Sequence, residues 1–193
     1  MSDIIDQAIA LIDDINQQDP KRELDGEQPY PAALLYGQRM SHRLSLFCKE
    51  PPVSLQIAVR AQHIKRWTVP RDTHPLGRAG YLAWRKSLSI MHANEAMAIA
   101  KQVGCDELTV ATIGKMIRKE QIKRDPLVQS LEDVACLVFL EFYFADFCQK
   151  HTPEKIISIV QKTWHKMSED GQDAALKLSF SATQLELIKR ALA

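Results

Sequence analysis

Apolar residues recur along this chain at three- and four-residue spacing, and no stretch of convincing length alternates apolar with polar, so the pattern predicts helices throughout. Ile4, Ile5, Ala8, Ile9, Leu11, Ile12 and Ile15 make one stripe of a first helix, capped by Ser2 and ending before Asp19-Pro20. The polar segment KRELDGEQPYP that follows reads as a loop. Helices are predicted over about 32–48, stopping at Pro51-Pro52, and about 54–67, stopping before Pro70. After the loop TVPRDTHPLG, a long helix over about 78–103 ends at Gly104 as a left-handed cap, and Asp106 caps the next, which runs to about Glu120. Asp125-Pro126 and Thr152-Pro153 each open a helix, and two short ones follow the SEDG turn and the capping box Ser181-x-x-Gln184. The expected fold is all-α: a single-domain helical bundle over 1–193 with about eight or nine helices.

The helix from Pro126 to about His151 carries apolar side chains on every side, which predicts a central, buried position. It also carries Glu132, Asp133, Glu141 and Asp146. Buried carboxylates need cations, hydrogen bonds or a metal, so this helix is expected either to form salt bridges with arginines or to contribute ligands to a site.

Composition narrows the class. With 46% apolar and 25% charged residues, the 193-residue chain is globular, and disordered, collagen-like and coiled-coil readings fall away. A net charge of +1 excludes a global attraction to nucleic acid or acidic lipid. The acidic start and the short apolar run over 134–140 give no membrane segment, and a soluble cytoplasmic protein is expected. Cys48, Cys105, Cys136 and Cys148 form no C-x-x-C pair and are expected to be reduced core thiols.

The near-neutral total hides two opposed segments. Residues 1–27 carry eight carboxylates against Lys21 and Arg22, a net of −6, whereas residues 60–86 carry Arg60, Lys65, Arg66, Arg71, Arg78, Arg85 and Lys86 against Asp72, a net of +6. Trp67, Tyr81 and Trp84 are interleaved with these cations, a pattern suited to holding phosphate or carboxylate beside a stacking surface. A second basic stretch contains Lys115, Arg118, Lys119, Lys123 and Arg124. Either these cations face solvent and pair with the acidic segments, or some of them line an anion site.

Histidines sharpen the second alternative. At about 100° per residue, His63 points away from the Ile57, Ala61 and Ile64 stripe, together with Val59, Arg60, Arg66 and Trp67. His42 lies on the preceding helix and His92 on the long following one. With Glu132 and Asp133 they could form a helical-bundle metal site, in which a divalent ion of Mn, Mg or Fe type activates water and a carboxylate acts as base. The segments AVRAQHI and LEDVACL resemble the helices that supply metal ligands in the HD phosphohydrolase superfamily. Where that superfamily has His followed by Asp, this chain has His63-Ile64, so the adjacent Asp ligand is missing. The strings RAQHIKRWTVPRDTHPLGRAGYLAWR, QSLEDVACLVFLEFYFADF and QKTWHKMSEDGQDAAL are similar to the family called domain of unknown function 4202, over nearly the whole chain. That resemblance implies no activity. Members are sometimes labelled glutamyl-tRNA synthetase-like, but Lys166-Met167-Ser168 is followed by Glu169 and no Rossmann glycine pattern precedes it.

The expected function is therefore binding of a small phosphorylated or nucleotide ligand, with metal-dependent phosphohydrolysis as its catalytic form. Metal ligands would be His63, His92, Asp133, Glu132 and His42, and Glu132 or Asp133 would activate the water. Arg60, Arg66, Arg71, Arg78, Arg85, Lys119 and Lys123 would hold the anion, with Trp67 and Trp84 stacking on a base or walling the pocket. The alternatives are a binding protein without turnover, or a DNA-binding helix-turn-helix at 99–119, with Ala100, Gly104, Asp106 and Val110 as its frame and Thr109, Thr112, Lys115 and Arg118 facing the groove.

Overall fold

The computed structural model describes residues 2–193, Ser2 through its backbone alone, so the cap expected of Ser2 lies outside the described residues. The fold is all-α, as the periodicity predicts, with one small hairpin. The chain divides into two compact units, Met1–Glu120 and Gln121–Ala193. No helix among the described residues is long and apolar enough to cross a membrane.

In the first unit α1 (Ser2–Asn16) leads to strands β1 (Arg22–Asp25) and β2 (Gln28–Pro31), followed by α2 (Ala32–Phe47), α3 (Val53–Ala61), α4 (Gly77–Gln102) and α5 (Glu107–Ile117). The nine residues of α3 form the centre, packed by α1, α2, α4 and α5. Leu55, Ile57, Ala58, Val59 and Ala61 are all buried. Val59 and Arg60 therefore do not point outward as a helical wheel suggests, because neighbouring helices cover every side of so short a rod. Arg60 is 8% exposed, and its guanidinium donates to both carboxylate oxygens of Asp13 on α1, with Nε to Oδ1 at 2.7 Å.

The segment read as a loop is the β1–β2 hairpin, paired from Arg22 opposite Pro31 to Asp25 opposite Gln28. Its strands expose almost every residue, so they have no buried face to imprint an alternating pattern. Arg39 of α2 holds it, donating to Glu23, to Asp25 at 3.0 Å and to the Leu24 carbonyl. Asp19 is 4% exposed and accepts from the Ala33 amide at 2.9 Å, capping α2 from 14 residues upstream.

The third helix ends six residues earlier than predicted, at Ala61. Residues 62–65 form turns, Lys65 adopts φ +54°, and a 3-10 turn follows at Arg66–Thr68. Nothing in the sequence from 62 to 65 signals this stop, since neither Gly nor Pro is present. Gly80 is required on α4 because a Cβ there would lie 1.9 Å from the Pro75 carbonyl oxygen, where the preceding loop folds back.

The second unit opens with α6 (Pro126–Val138), capped by Asp125 through the amides of Leu127 and Val128. A π-turn at Phe139–Tyr143 joins it to α7 (Phe144–Lys150). Then come α8 (Pro153–Lys166), α9 (Glu169–Leu176) and α10 (Ala182–Leu192), with Thr152, Ser168 and Ser181 as caps. The SEDG segment is thus the capped start of α9 rather than a turn. Counting 126–150 as one rod, the described residues form nine helices. That rod is not buried throughout, because Glu141 and Asp146 are exposed and Asp146 sits 3.9 Å from Lys150. All four cysteines are free thiols, but only Cys136 is buried.

Removing Asp13 strands a guanidinium in the core of the first unit. Asp13→Ala should cost about 2–3 kcal/mol, less than for a fully buried pair because the carboxylate is partly exposed, read as a drop in the urea midpoint. An unchanged midpoint would refute the pairing.

Candidate anion-binding site

A small cleft, open to solvent, lies in the first unit where α3 unwinds against α4 and the end of α5. Gln62, His63 and Arg66 come from the turn after α3, Arg85, Leu88, Ser89 and His92 from α4, and Ile117 and Lys119 from the end of α5. The i, i+3, i+4 and i+7 spacing of 85, 88, 89 and 92 places four of these side chains on one face of α4. No carboxylate lines the cleft.

Subtraction identifies the cations that matter. Arg60 is bound to Asp13, Lys65 to Glu95 at 2.8 Å, Arg39 to the hairpin and Arg118 to Glu120 at 2.6 Å. Arg71 spends its guanidinium on the carbonyls of His74 and Pro75, both at 2.9 Å, which orders the loop before α4. Arg78 is exposed and does not line the cleft. Arg66 and Arg85 enter no ion pair among the described residues. Arg66 instead lies 4.9 Å from the centroid of Trp84, whose indole N–H donates to the Val69 carbonyl at 2.9 Å. Burial lowers the Arg66 pKa, and Arg85 lowers it further.

Two imidazoles sit among these cations. His63 stacks on Tyr36, with centroids 4.0 Å apart and planes 19° apart, and lies 5.9 Å from His92. Burial first, then Arg66, His92, Lys119 and Arg85, holds the His63 pKa well below its usual value. His92 is 3% exposed, and its pKa is lowered to about 4, chiefly by burial. Its Nδ1 lies 2.6 Å from the Ile64 carbonyl, which can only accept, so Nδ1 carries the proton and Nε2 presents a lone pair. That Nε2 is buried without a hydrogen-bond partner, as is Oε1 of Gln62, which is 5% exposed.

Lys119 reaches the cleft from a conformation that lysine disfavours. After α5 the amide of Lys119 donates to the Met116 carbonyl and that of Glu120 to the Lys115 carbonyl, a Schellman motif with Lys119 at φ +58°. The end of α4 has the same pair of bonds, from Gly104 to Lys101 and from Cys105 to Ala100, with Gly104 at φ +86°. Sequence foresaw the glycine and carried no sign of the lysine.

The cleft brings together five of the expected site residues: His63, His92, Arg66, Arg85 and Lys119. It adds Gln62, and Tyr36 backs it by stacking on His63; neither carries the charge that marks a candidate in sequence. His42 is exposed on α2, and neither Trp67 nor Trp84 lines the cleft. Lys123, Glu132 and Asp133 belong to the second unit and are engaged inside it. The Lys123 ammonium donates to the Met167 carbonyl at 2.7 Å. Asp133 accepts from the Ser168 amide and hydroxyl and from Gln129, and Glu132 lies 3.6 Å from the Lys166 ammonium. In the helix-turn-helix segment, the Thr109 amide and hydroxyl both donate to Asp106, so the first turn of α5 presents the carboxylates of Asp106 and Glu107.

These residues do not fit a divalent ion. Among the described residues no group of three or more His, Cys, Asp or Glu is placed to hold one. The cleft offers two neutral imidazoles, one with Nδ1 already bonded, beside two guanidinium groups and an ammonium that would repel a cation. No curated protein and no solved structure matches the chain. The family profile described as Domain of unknown function (DUF4202) matches residues 6–188, and the chain belongs to that family.

Proposed function

We propose that the chain binds a small phosphorylated molecule in this cleft. The observation that carries the reading is the pair of guanidinium groups, Arg66 and Arg85, left without carboxylates beside Lys119, while Arg60, Lys65 and Arg71 of the same basic segment are bound internally. Two guanidinium groups lining one cleft that holds no carboxylate repel each other, and an anion removes that cost. A phosphate, with several acceptor oxygens and up to two charges, matches two guanidinium forks and an ammonium better than a single carboxylate does. Trp84 acts as a wall for Arg66 rather than as a stacking platform for a base.

Calorimetric titration with inorganic phosphate and simple phosphomonoesters tests the reading. Binding should appear at millimolar ligand or below, weaken as salt rises, and fall about tenfold or more in Arg85→Gln, whose side chain is exposed and makes only a 6.0 Å approach to the Tyr81 ring. Absence of binding in the native chain, or native affinity in Arg85→Gln, would overturn it.

Lys119→Gly keeps the left-handed backbone and removes the ammonium, so phosphate affinity should drop about tenfold. Unchanged affinity would contradict the role given to the lysine.

The imidazoles make the first unit sensitive to acid. In the fold His92 stays neutral down to about 4, whereas the unfolded chain takes up that proton near 6.5. Between those values the unfolded state binds more protons, so stability falls as pH falls through the window, by on the order of 3 kcal/mol for His92 alone. Arg66 contributes to the depression at both His63 and His92, so Arg66→Gln should flatten this dependence in urea titrations from about pH 7 to about pH 4. An equally steep profile in the variant would place the cause elsewhere.

A further inference from the structure

We infer that the ligand carries hydroxyl groups beside its phosphate, as in a phosphorylated polyol or sugar, and that His92 Nε2 and Gln62 Oε1 accept from them. The inference rests on the phosphate reading and takes it one step further, because cations explain only half of the cleft. The other half is two acceptors with nothing to accept. Gln62 and His92 are 5% and 3% exposed, both line the cleft, and neither acceptor atom has a hydrogen-bond partner. Buried acceptors left unsatisfied are destabilising and uncommon, and where they sit in a cleft a ligand donor removes the penalty.

The tautomer decides what that donor is. The Ile64 carbonyl holds the proton of His92 on Nδ1, so Nε2 offers only a lone pair. A fully ionised phosphate oxygen would be repelled by it. A hydroxyl group can donate to it while its own oxygen accepts from a neighbouring cation. Ser89 does not fill the role, since its hydroxyl donates to the Lys86 carbonyl at 2.8 Å. His63 does not either, because its ring stacks on Tyr36 with its centre 5.9 Å from that of His92.

A matched pair of probes tests this: glycerol 3-phosphate and n-propyl phosphate, which share chain length and phosphate and differ only in hydroxyl groups. The native chain should bind glycerol 3-phosphate about tenfold more tightly. Gln62→Met keeps the side-chain length and removes the acceptor, and it should shrink the ratio between the two affinities. His92 also tethers Ile64, so it is left intact and read by nitrogen NMR. Its Nε2 resonance should move on adding glycerol 3-phosphate, and not n-propyl phosphate, while remaining that of an unprotonated nitrogen. Equal affinity for the two probes, or a preference untouched by Gln62→Met, overturns the hydroxyl inference and leaves the phosphate site standing. Failure of both probes and of inorganic phosphate to bind removes the phosphate reading and this inference with it.

Discussion

The hydrogen bond from His92 Nδ1 to the Ile64 carbonyl is the constraint on which the cleft depends. A helix packed on all sides, as α3 is, still leaves its last carbonyls without partners, and these must be satisfied where the chain turns away. Ile64 buries its side chain completely and hands its carbonyl to an imidazole 28 residues later on α4. One bond thereby secures the unwound end of α3 and orients the His92 ring. It also fixes the tautomer, so the opposite nitrogen is an acceptor by default. Burial keeps that ring neutral, and the chemistry of the cleft follows from how the helix ends.

Charge is arranged around the same junction by exclusion. The acidic N-terminal segment takes one cation of the basic segment, Arg60 on Asp13, and spends Glu23 and Asp25 on Arg39 of α2. Glu95 takes Lys65, and backbone carbonyls take Arg71. What remains at the cleft is the guanidinium pair of Arg66 and Arg85 with no carboxylate in the lining, in a protein whose net charge is only +1. The functional signal is therefore this remainder rather than the basic segment as a whole. It emerges only after the ion pairs have been assigned in space.

This explains which features could be read from sequence. Asp106, Asp125, Thr152 and Ser181 cap helices as expected, because a cap bonds within three residues of itself and leaves a local signature. Asp19 caps α2 from 14 positions away and leaves none. The hairpin escaped notice because its strands are exposed, and Arg39, which secures it, lies on another element. His63 was expected at a pocket by projection along a helix that in fact ends at Ala61, so its place in the cleft was foreseen from a geometry the chain does not adopt. Arg66, Arg71 and Arg78 are equivalent in sequence. Only coordinates distinguish a cleft lining, a loop brace and a solvated charge.

The ends of α4 and α5 show how far the site departs from the local rule. Both helices close with the same pair of amide-to-carbonyl bonds, and both need a left-handed residue at the same position. At α4 that residue is Gly104, which is not part of the cleft lining, and the conformation comes without steric cost. At α5 it is Lys119, in the cleft, and the cost is retained. Lys65, also left-handed, lies beside the other lining segment, and its ammonium is tied to Glu95. Two lysines occupy glycine-favouring backbone at the borders of one cleft, one bracing α4 and one adding charge to the lining. Gln121 and Lys123 of the second unit are left-handed as well, at φ +66° and +71°, so the conformation alone marks no site, and it is the charge that Lys119 adds to the lining that gives it weight there.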